Sequence, residues 1–187
     1  MATPHLRSVT TPDLPAILHI QPLCYPKAFH EPLASFQVKL STPDSAWLAW
    51  VEQIPVGYLF SLPLVLNDSS SLPNLADTAP RQICSTAPPD CLYLHDMAVL
   101  PEHRGSGISR LLFAAALERA KALQLPRMAL VAVQGSMPFW QSLGFQQVPN
   151  PPSSIQAKLA SYGDGAAFML RSTPDSEQTL LHIKSYD

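Results

Sequence analysis

The spacing of apolar residues along the chain changes several times, and each change marks an element. Leu6 to Val9 is a short run of strand formers. Thr11-Pro12-Asp13 supplies a cap and an early proline for a helix, which Leu14, Ile17 and Leu18 carry to about Tyr25, with Pro15 and Pro22 expected to break it. After a loop at 26–32, the run 33–40 reads as a second short helix. Two strands follow at 46–52 and 56–65, joined across Gln53-Ile54-Pro55 as a hairpin. Residues 66–90, rich in Ser, Pro, Asn and Asp, have no period: they are a surface insertion or, through Leu72, Leu75 and Ile83, a lid. A strand at 92–100 ends at Pro101, because proline cannot continue a ladder. A helix from Ser109 to Leu123 puts Leu112, Phe113, Ala116, Leu117 and Ala120 on one face, with Arg110, Glu118 and Lys121 opposite. The nearly continuous apolar run 127–133 predicts a buried strand, followed by a short helix to Leu143, which Gly144 stops. Strands at 145–148 and 166–171 enclose a helix at 154–161, and 173–187 is a tail. This alternation predicts one α/β (α+β) domain over 1–187, a mixed sheet with helices on both faces.

The densest chemistry lies where the 92–100 strand turns toward the long helix. Arg104-Gly105-Ser106-Gly107 leads into that helix, and a chain entering a helix presents backbone N–H groups with no partner of their own. Those donors, the positive end of the helix dipole and the Arg104 guanidinium together suit a phosphate. The two glycines let the backbone approach a ligand. No Gly-Lys-Ser/Thr follows them, so a P-loop is excluded; the spacing is not Gly-x-Gly-x-x-Gly, which disfavours a dinucleotide fold.

The longer run Ala98-Val99-x-Pro101-Glu102-x-Arg104-Gly105-x-Gly107-Ile108-Ser109-x-x-Leu112 resembles the acetyl-CoA signature of the GNAT N-acetyltransferase superfamily, with some similarity to the arylalkylamine type. Pro138-Phe139-Trp140-Gln141-Ser142-Leu143-Gly144-Phe145 resembles that family's second motif at the right distance. The resemblance covers about 92–148. It implies a GNAT fold: a mostly antiparallel sheet of six to seven strands, splayed between the fourth and fifth so that acetyl-CoA enters there. It assigns Arg104, Gly105, Ser106, Gly107, Ile108 and Ser109 to the coenzyme phosphates, the main chain of Met97, Ala98 and Val99 to the thioester, and Phe139 and Trp140 to the pantetheine arm. It also puts Tyr25, Phe29, His30 and Glu31 beside the acceptor; as residues alone, Tyr25 and Phe29 read equally as core aromatics and Glu31 as a solvated loop charge. Ser109 replaces the usual Gly or Ala, as a small residue that caps helices well, and Val133 replaces a frequent asparagine. Trp140 replaces a tyrosine that serves many members as general acid, and indole has no acidic proton to give.

Acetyl transfer to an amine needs a polarised acyl donor, anchored phosphates and a base for the ammonium proton. Tyr93 and His95 share one strand face and Leu94 and Asp96 the other. Similarity to the arylalkylamine type points to His95 as the base, directly or through water, with Tyr93 as its partner; the plain alternative is a core histidine on a backbone carbonyl. Asp96 is expected only to orient a neighbour or cap a ladder edge.

Charge and cysteines narrow the class further. A formal net charge of −2 argues against nucleic acid or a polybasic membrane tether. No run of apolar residues is long enough to span a membrane, no signal-peptide core is visible, and Cys24, Cys84 and Cys91 lack metal spacing, so a cytoplasmic, metal-free protein with reduced thiols is expected. The expected activity is an acetyl-CoA-dependent N-acetyltransferase for a small primary amine, as monomer or homodimer. The alternatives are a non-catalytic acyl-CoA binding or sensing module and a protein N-terminal or lysine acetyltransferase.

Overall fold

The computed structural model describes residues 3–66 and 87–174. The expected insertion and tail fall largely outside these residues. The strands are β1 (His5–Ser8), β2 (Ala46–Val51), β3 (Ile54–Leu64), β4 (Cys91–Val99), β5 (Arg127–Ala132), β6 (Gln146–Gln147) and β7 (Ala167–Ser172). Among the described residues they form one mixed, mostly antiparallel sheet in the order β1-β2-β3-β4-β5-β7-β6. The helices are α1 (Leu14–Cys24), α2 (Leu33–Leu40), α3 (Ile108–Ala122), α4 (Met137–Ser142) and α5 (Ser153–Ser161). The described chain groups into two compact units, 3–62 with 94–116 and 63–66 with 87–93 and 117–174.

In the first unit β1, β2 and β3 run antiparallel in sequence order. α1 is continuous, where a broken helix was expected. Pro15 lies in its first turn, where the missing N–H has no helical partner to lose, and Pro22 lies in its last, where one bond is forfeited. The end still closes through Tyr25 N–H on the Gln21 carbonyl at 2.9 Å, and buried Leu14, Ile17 and Ile20 hold the helix against the fold. Phe36 of α2 meets Tyr58 edge-on at 6.3 Å and Phe60 at 5.2 Å, so α2 packs on the face of β3 that carries these rings. Three side chains of α2 are buried: Ser35, Phe36 and Lys39. Two of the three are polar, and a buried ammonium needs a partner.

In the second unit β7 pairs antiparallel with both β5 and β6. Leu66 N–H donates to Asp90 Oδ1 at 2.8 Å, Asp90 N–H to the Leu64 carbonyl at 2.9 Å, and Arg127 pairs with the same carboxylate. β6 is shorter than the strand expected at 145–148, because Phe145 N–H bonds back to the Trp140 carbonyl at 3.1 Å and stays with the helical turn.

Cys91 is a free, buried thiol that burial pushes up to about 12. At pH 8 its thiolate fraction is about 10⁻⁴ on that basis. Maleimide followed by mass spectrometry is expected to leave Cys91 unmodified in the native protein and to label it after unfolding; native labelling would contradict this packing.

Candidate active site

The candidate site is built on residues 95–99 of β4, all within the first unit. A Cβ added at Gly57 of β3 would lie 2.7 Å from the Ala98 carbonyl, and Leu100 N–H donates to the Val56 carbonyl at 2.9 Å. Residues 98 and 100 therefore present their peptide groups to β3, and by alternation 97 and 99 present theirs to the opposite edge. On that edge side chains supply donors. The Tyr25 hydroxyl donates to the Met97 carbonyl at 2.6 Å, while Cys24 Sγ–H and Arg104 Nε–H donate to the Val99 carbonyl at 3.4 and 3.2 Å. Within the stretch 97–99, then, Ala98 faces β3, and Met97 and Val99 turn their N–H groups the other way.

His95 lies in a buried charge network. Its Nε2 is 2.8 Å from Glu31 Oε1, and the other Glu31 oxygen takes Lys39 Nζ and the Ser35 hydroxyl. Lys39 Nζ also donates to Ser35 Oγ at 2.8 Å. The Glu31 main chain is held on both sides by Gln21, whose Oε1 accepts from Glu31 N–H at 2.7 Å and whose Nε2 donates to the Glu31 carbonyl at 3.1 Å. Burial alone would push the Glu31 carboxyl up, but His95 and then Lys39 outweigh it and hold it at about 2. Glu31 is thus no solvated loop charge. Its side chain is 1 % exposed and that of His95 0 %, although His95 as a residue is only half-buried, so the accessible part of His95 is its main chain.

The neighbouring Asp96 belongs to a second cluster. Tyr58 on β3 donates its hydroxyl to Asp96 Oδ2 at 2.7 Å, and the Tyr25 hydroxyl also bears on this carboxyl. Burial raises the Asp96 pKa and the Glu31 charge raises it further, against the opposing pull of Tyr58, His95 and Tyr25. Burial, with Asp96 adding to it, lifts both tyrosines well above their ordinary range, so they stand as neutral donors. His30 Nε2 lies 2.8 Å from the Tyr25 carbonyl and ties the 26–32 connection across itself, while Phe29 is half-buried on the intervening turn.

Beyond Val99 a short 3-10 turn, Pro101–His103, leads into the 104–107 turn, whose residues are exposed. Gly105 and Gly107 have φ of +77° and +86°, a backbone that residues with a Cβ rarely adopt. A Cβ at either would meet no protein atom within 4 Å, so within the protein the requirement is conformational. α3 begins at Ile108, with Leu111 N–H on the Gly107 carbonyl at 3.0 Å. Ser109 is therefore inside the first turn, one residue after the start of α3.

Tyr93, Phe139 and Trp140 belong to the second unit. Tyr93 is 1 % exposed, and Trp140 is buried with its ring edge-on to Phe139 at 5.0 Å and Phe145 at 5.6 Å. Ser35, Lys39, Tyr58, Gln21 and Cys24 escaped the sequence reading. One signal was available: Glu31, Ser35 and Lys39 recur every four residues, the spacing that stacks side chains on one helical face. Among the described residues no three His, Cys, Asp or Glu side chains gather as a metal site, and no helix is long and apolar enough to cross a membrane.

The acetyltransferase (GNAT) family model matches residues 14–145. Among solved structures, the loading GNATL domain of CurA from Lyngbya majuscula is 14% identical with a TM-score of 0.67, over 90% of this chain and 96% of that one. The ribosomal-protein-S18-alanine N-acetyltransferase from Escherichia coli is 16% identical with a TM-score of 0.61, over 93% and 96%. Naa50 from Arabidopsis thaliana, in complex with the bisubstrate analogue CoA-Ac-MVNAL, is 14% identical with a TM-score of 0.64, over 89% and 96%. At such identities the likeness is one of fold. A comparison with curated proteins finds no match.

Proposed function

The chain belongs to the acetyltransferase (GNAT) family, and from that premise we propose that it transfers an acetyl group from acetyl-CoA to a small primary amine by direct attack. The observation that carries this reading is the exposed 104–107 turn, bent by two left-handed glycines and running straight into the 15-residue α3. Its backbone donors, with Arg104 beside them, suit a pyrophosphate. The coenzyme brings the activated acyl group; the protein's part is to hold the phosphates, to offer Met97 and Val99 N–H groups to the thioester carbonyl, and to take the amine's proton. The resemblance nominates His95 for that proton. With its side chain sealed on Glu31, His95 reaches an acceptor through a water and not by contact. The Glu31 carboxylate is paired with Lys39 and hydrogen-bonded to His95, so attraction for a cationic acceptor falls to Asp96.

Calorimetric titration with coenzyme A is expected to give a clear heat of association. Gly107→Val, strained at φ +86°, is expected to weaken association by about tenfold or more. Absence of heat with the native protein removes the assignment. A non-catalytic acyl-CoA binding module is the second reading, favoured by the sealed His95 side chain and by Trp140 in place of an acid. Free-thiol release from acetyl-CoA with a panel of amines separates the two.

A further inference from the structure

We propose that Tyr25, helped by Cys24 and Arg104, turns the 97–99 stretch of β4 into an oxyanion site by hydrogen-bonding its outward carbonyls, so that the edge offers the thioester donors alone. The inference rests on the acetyl-transfer reading above, which gives the Met97 and Val99 N–H groups to the thioester carbonyl. Tyr25 and Cys24 act there as positioning residues, through the main chain. Along a strand edge, donors and acceptors alternate. On the edge turned away from β3 the order is Met97 N–H, Met97 carbonyl, Val99 N–H, Val99 carbonyl. An acyl oxygen that settles on either N–H has a carbonyl oxygen for a neighbour, and like partial charges repel. A donor placed on each of those carbonyls offsets the repulsion before the ligand arrives, and preorganised donors are what stabilise a developing oxyanion.

Both carbonyls carry such donors. The Tyr25 hydroxyl donates to the Met97 carbonyl at 2.6 Å. Cys24 Sγ–H and Arg104 Nε–H donate to the Val99 carbonyl at 3.4 and 3.2 Å. Tyr25 and Cys24 come from 72 and 75 positions away along the chain, so the end of α1 is brought to this edge by the fold and not by a local turn. Tyr25 gives the strongest of the three bonds, since a short O–H bond outweighs a thiol's weak one. Burial holds its phenol well above the ordinary range, so it stays protonated and keeps donating. Its own main chain is anchored on both sides: Tyr25 N–H bonds the Gln21 carbonyl at 2.9 Å, and the Tyr25 carbonyl lies 2.8 Å from His30 Nε2. The hydroxyl is therefore set in place by the fold, and it needs no reorganisation when the thioester arrives. Arg104 belongs to the turn assigned to the phosphates, so a single residue joins that turn to the edge that takes the acyl group. No proton changes hands in this role, which leaves the amine's proton to His95 and its water.

The test uses the full chain and acetyl-CoA isotopically labelled at its acetyl carbonyl, with no acceptor present. Infrared difference spectra read the carbonyl stretch, which moves to lower frequency as donors polarise the bond. On the wild type the band is expected below its position in free acetyl-CoA. Tyr25→Phe is expected to lose about half of that shift or more, and to lower kcat about tenfold with an amine that supports thiol release. Affinity for coenzyme A, which has no acyl carbonyl, should stay within about twofold of the wild type, while that for acetyl-CoA falls. A merely structural role would weaken both coenzymes alike. A ring-fluorinated tyrosine at residue 25 keeps the shape and donates more strongly, so it should move the band further down, and it keeps the test open if Tyr25→Phe does not fold. The proposal is overturned if the band is the same in Tyr25→Phe as in the wild type, if the fluorinated ring leaves it unmoved, or if Tyr25→Phe weakens coenzyme A and acetyl-CoA equally. A wild type that binds acetyl-CoA with its band at the free position removes the assignment of Met97 and Val99 to the thioester, and this proposal with it. One that binds no coenzyme brings down the acetyl-transfer reading itself.

Discussion

Glu31→Gln is expected to destabilise the protein by about 3–5 kcal/mol at neutral pH, the cost of removing one partner from a buried ion pair. The argument is one of stranded charge. The Lys39 side chain is only 6 % exposed, and its ammonium has Glu31 and Ser35 as its hydrogen-bonding company. A neutral amide in place of the carboxylate leaves that ammonium buried, against a Phe36 ring 5.1 Å away that offers weak compensation. Urea unfolding measures the loss. The double variant Glu31→Gln/Lys39→Met should recover much of it, because the buried charges leave together. A Glu31→Gln cost below about 1 kcal/mol would show the network to be solvated after all. Acid adds a second readout. Glu31 is held at about 2 against an ordinary 4.5, so it contributes stability that is fully present above pH 4.5 and is lost as pH falls toward 2. The contribution is on the order of 3 kcal/mol. Between those limits the wild type should lose stability more steeply than Glu31→Gln.

The next-largest effect is expected at Gly57, where Val should cost about 3 kcal/mol of stability. A Cβ there would lie 2.7 Å from the Ala98 carbonyl, 3.1 Å from Val99 Cγ2 and 3.3 Å from Val99 Cα. The nearest of these is backbone in a paired strand, so no rotamer change relieves the clash and β4 itself must shift. The displaced stretch, 97–99, carries the peptide groups assigned to the thioester, so coenzyme affinity should fall along with stability. Urea unfolding and calorimetric titration check the two halves. A Gly57→Val protein with both quantities unchanged would mean that β3 and β4 do not approach so closely.

Most helices and strands were legible in the sequence, because each depends on neighbours in the chain. The helices at 33–40 and near 108–122, and the strands at 46–51 and 127–132, follow from apolar periodicity and from Pro and Gly at their ends. The 104–107 turn was legible for the same reason: Arg104, Gly105 and Gly107 lie within four positions, and a left-handed backbone calls for glycine. The misreadings were of degree. A proline within a helix weighs differently according to the turn it occupies, so α1 runs through Pro22 where a break was expected. The long helix begins at Ile108, one residue before the expected Ser109.

The site divides along the same line. By itself the sequence determined the family signature and the order of elements, since both are patterns between residues close in the chain. Only the tertiary structure decided that Glu31 is the buried anion of His95 and Lys39, that Tyr58 bonds Asp96 and Tyr25 the Met97 carbonyl, and that Ala98 turns toward Gly57 while Met97 and Val99 turn away. Glu31 and His95 are 64 positions apart, and Tyr58 and Asp96 38. A carboxylate's charge, partner and proton affinity depend on burial and on what lies within a few ångströms, and periodicity along the chain carries neither.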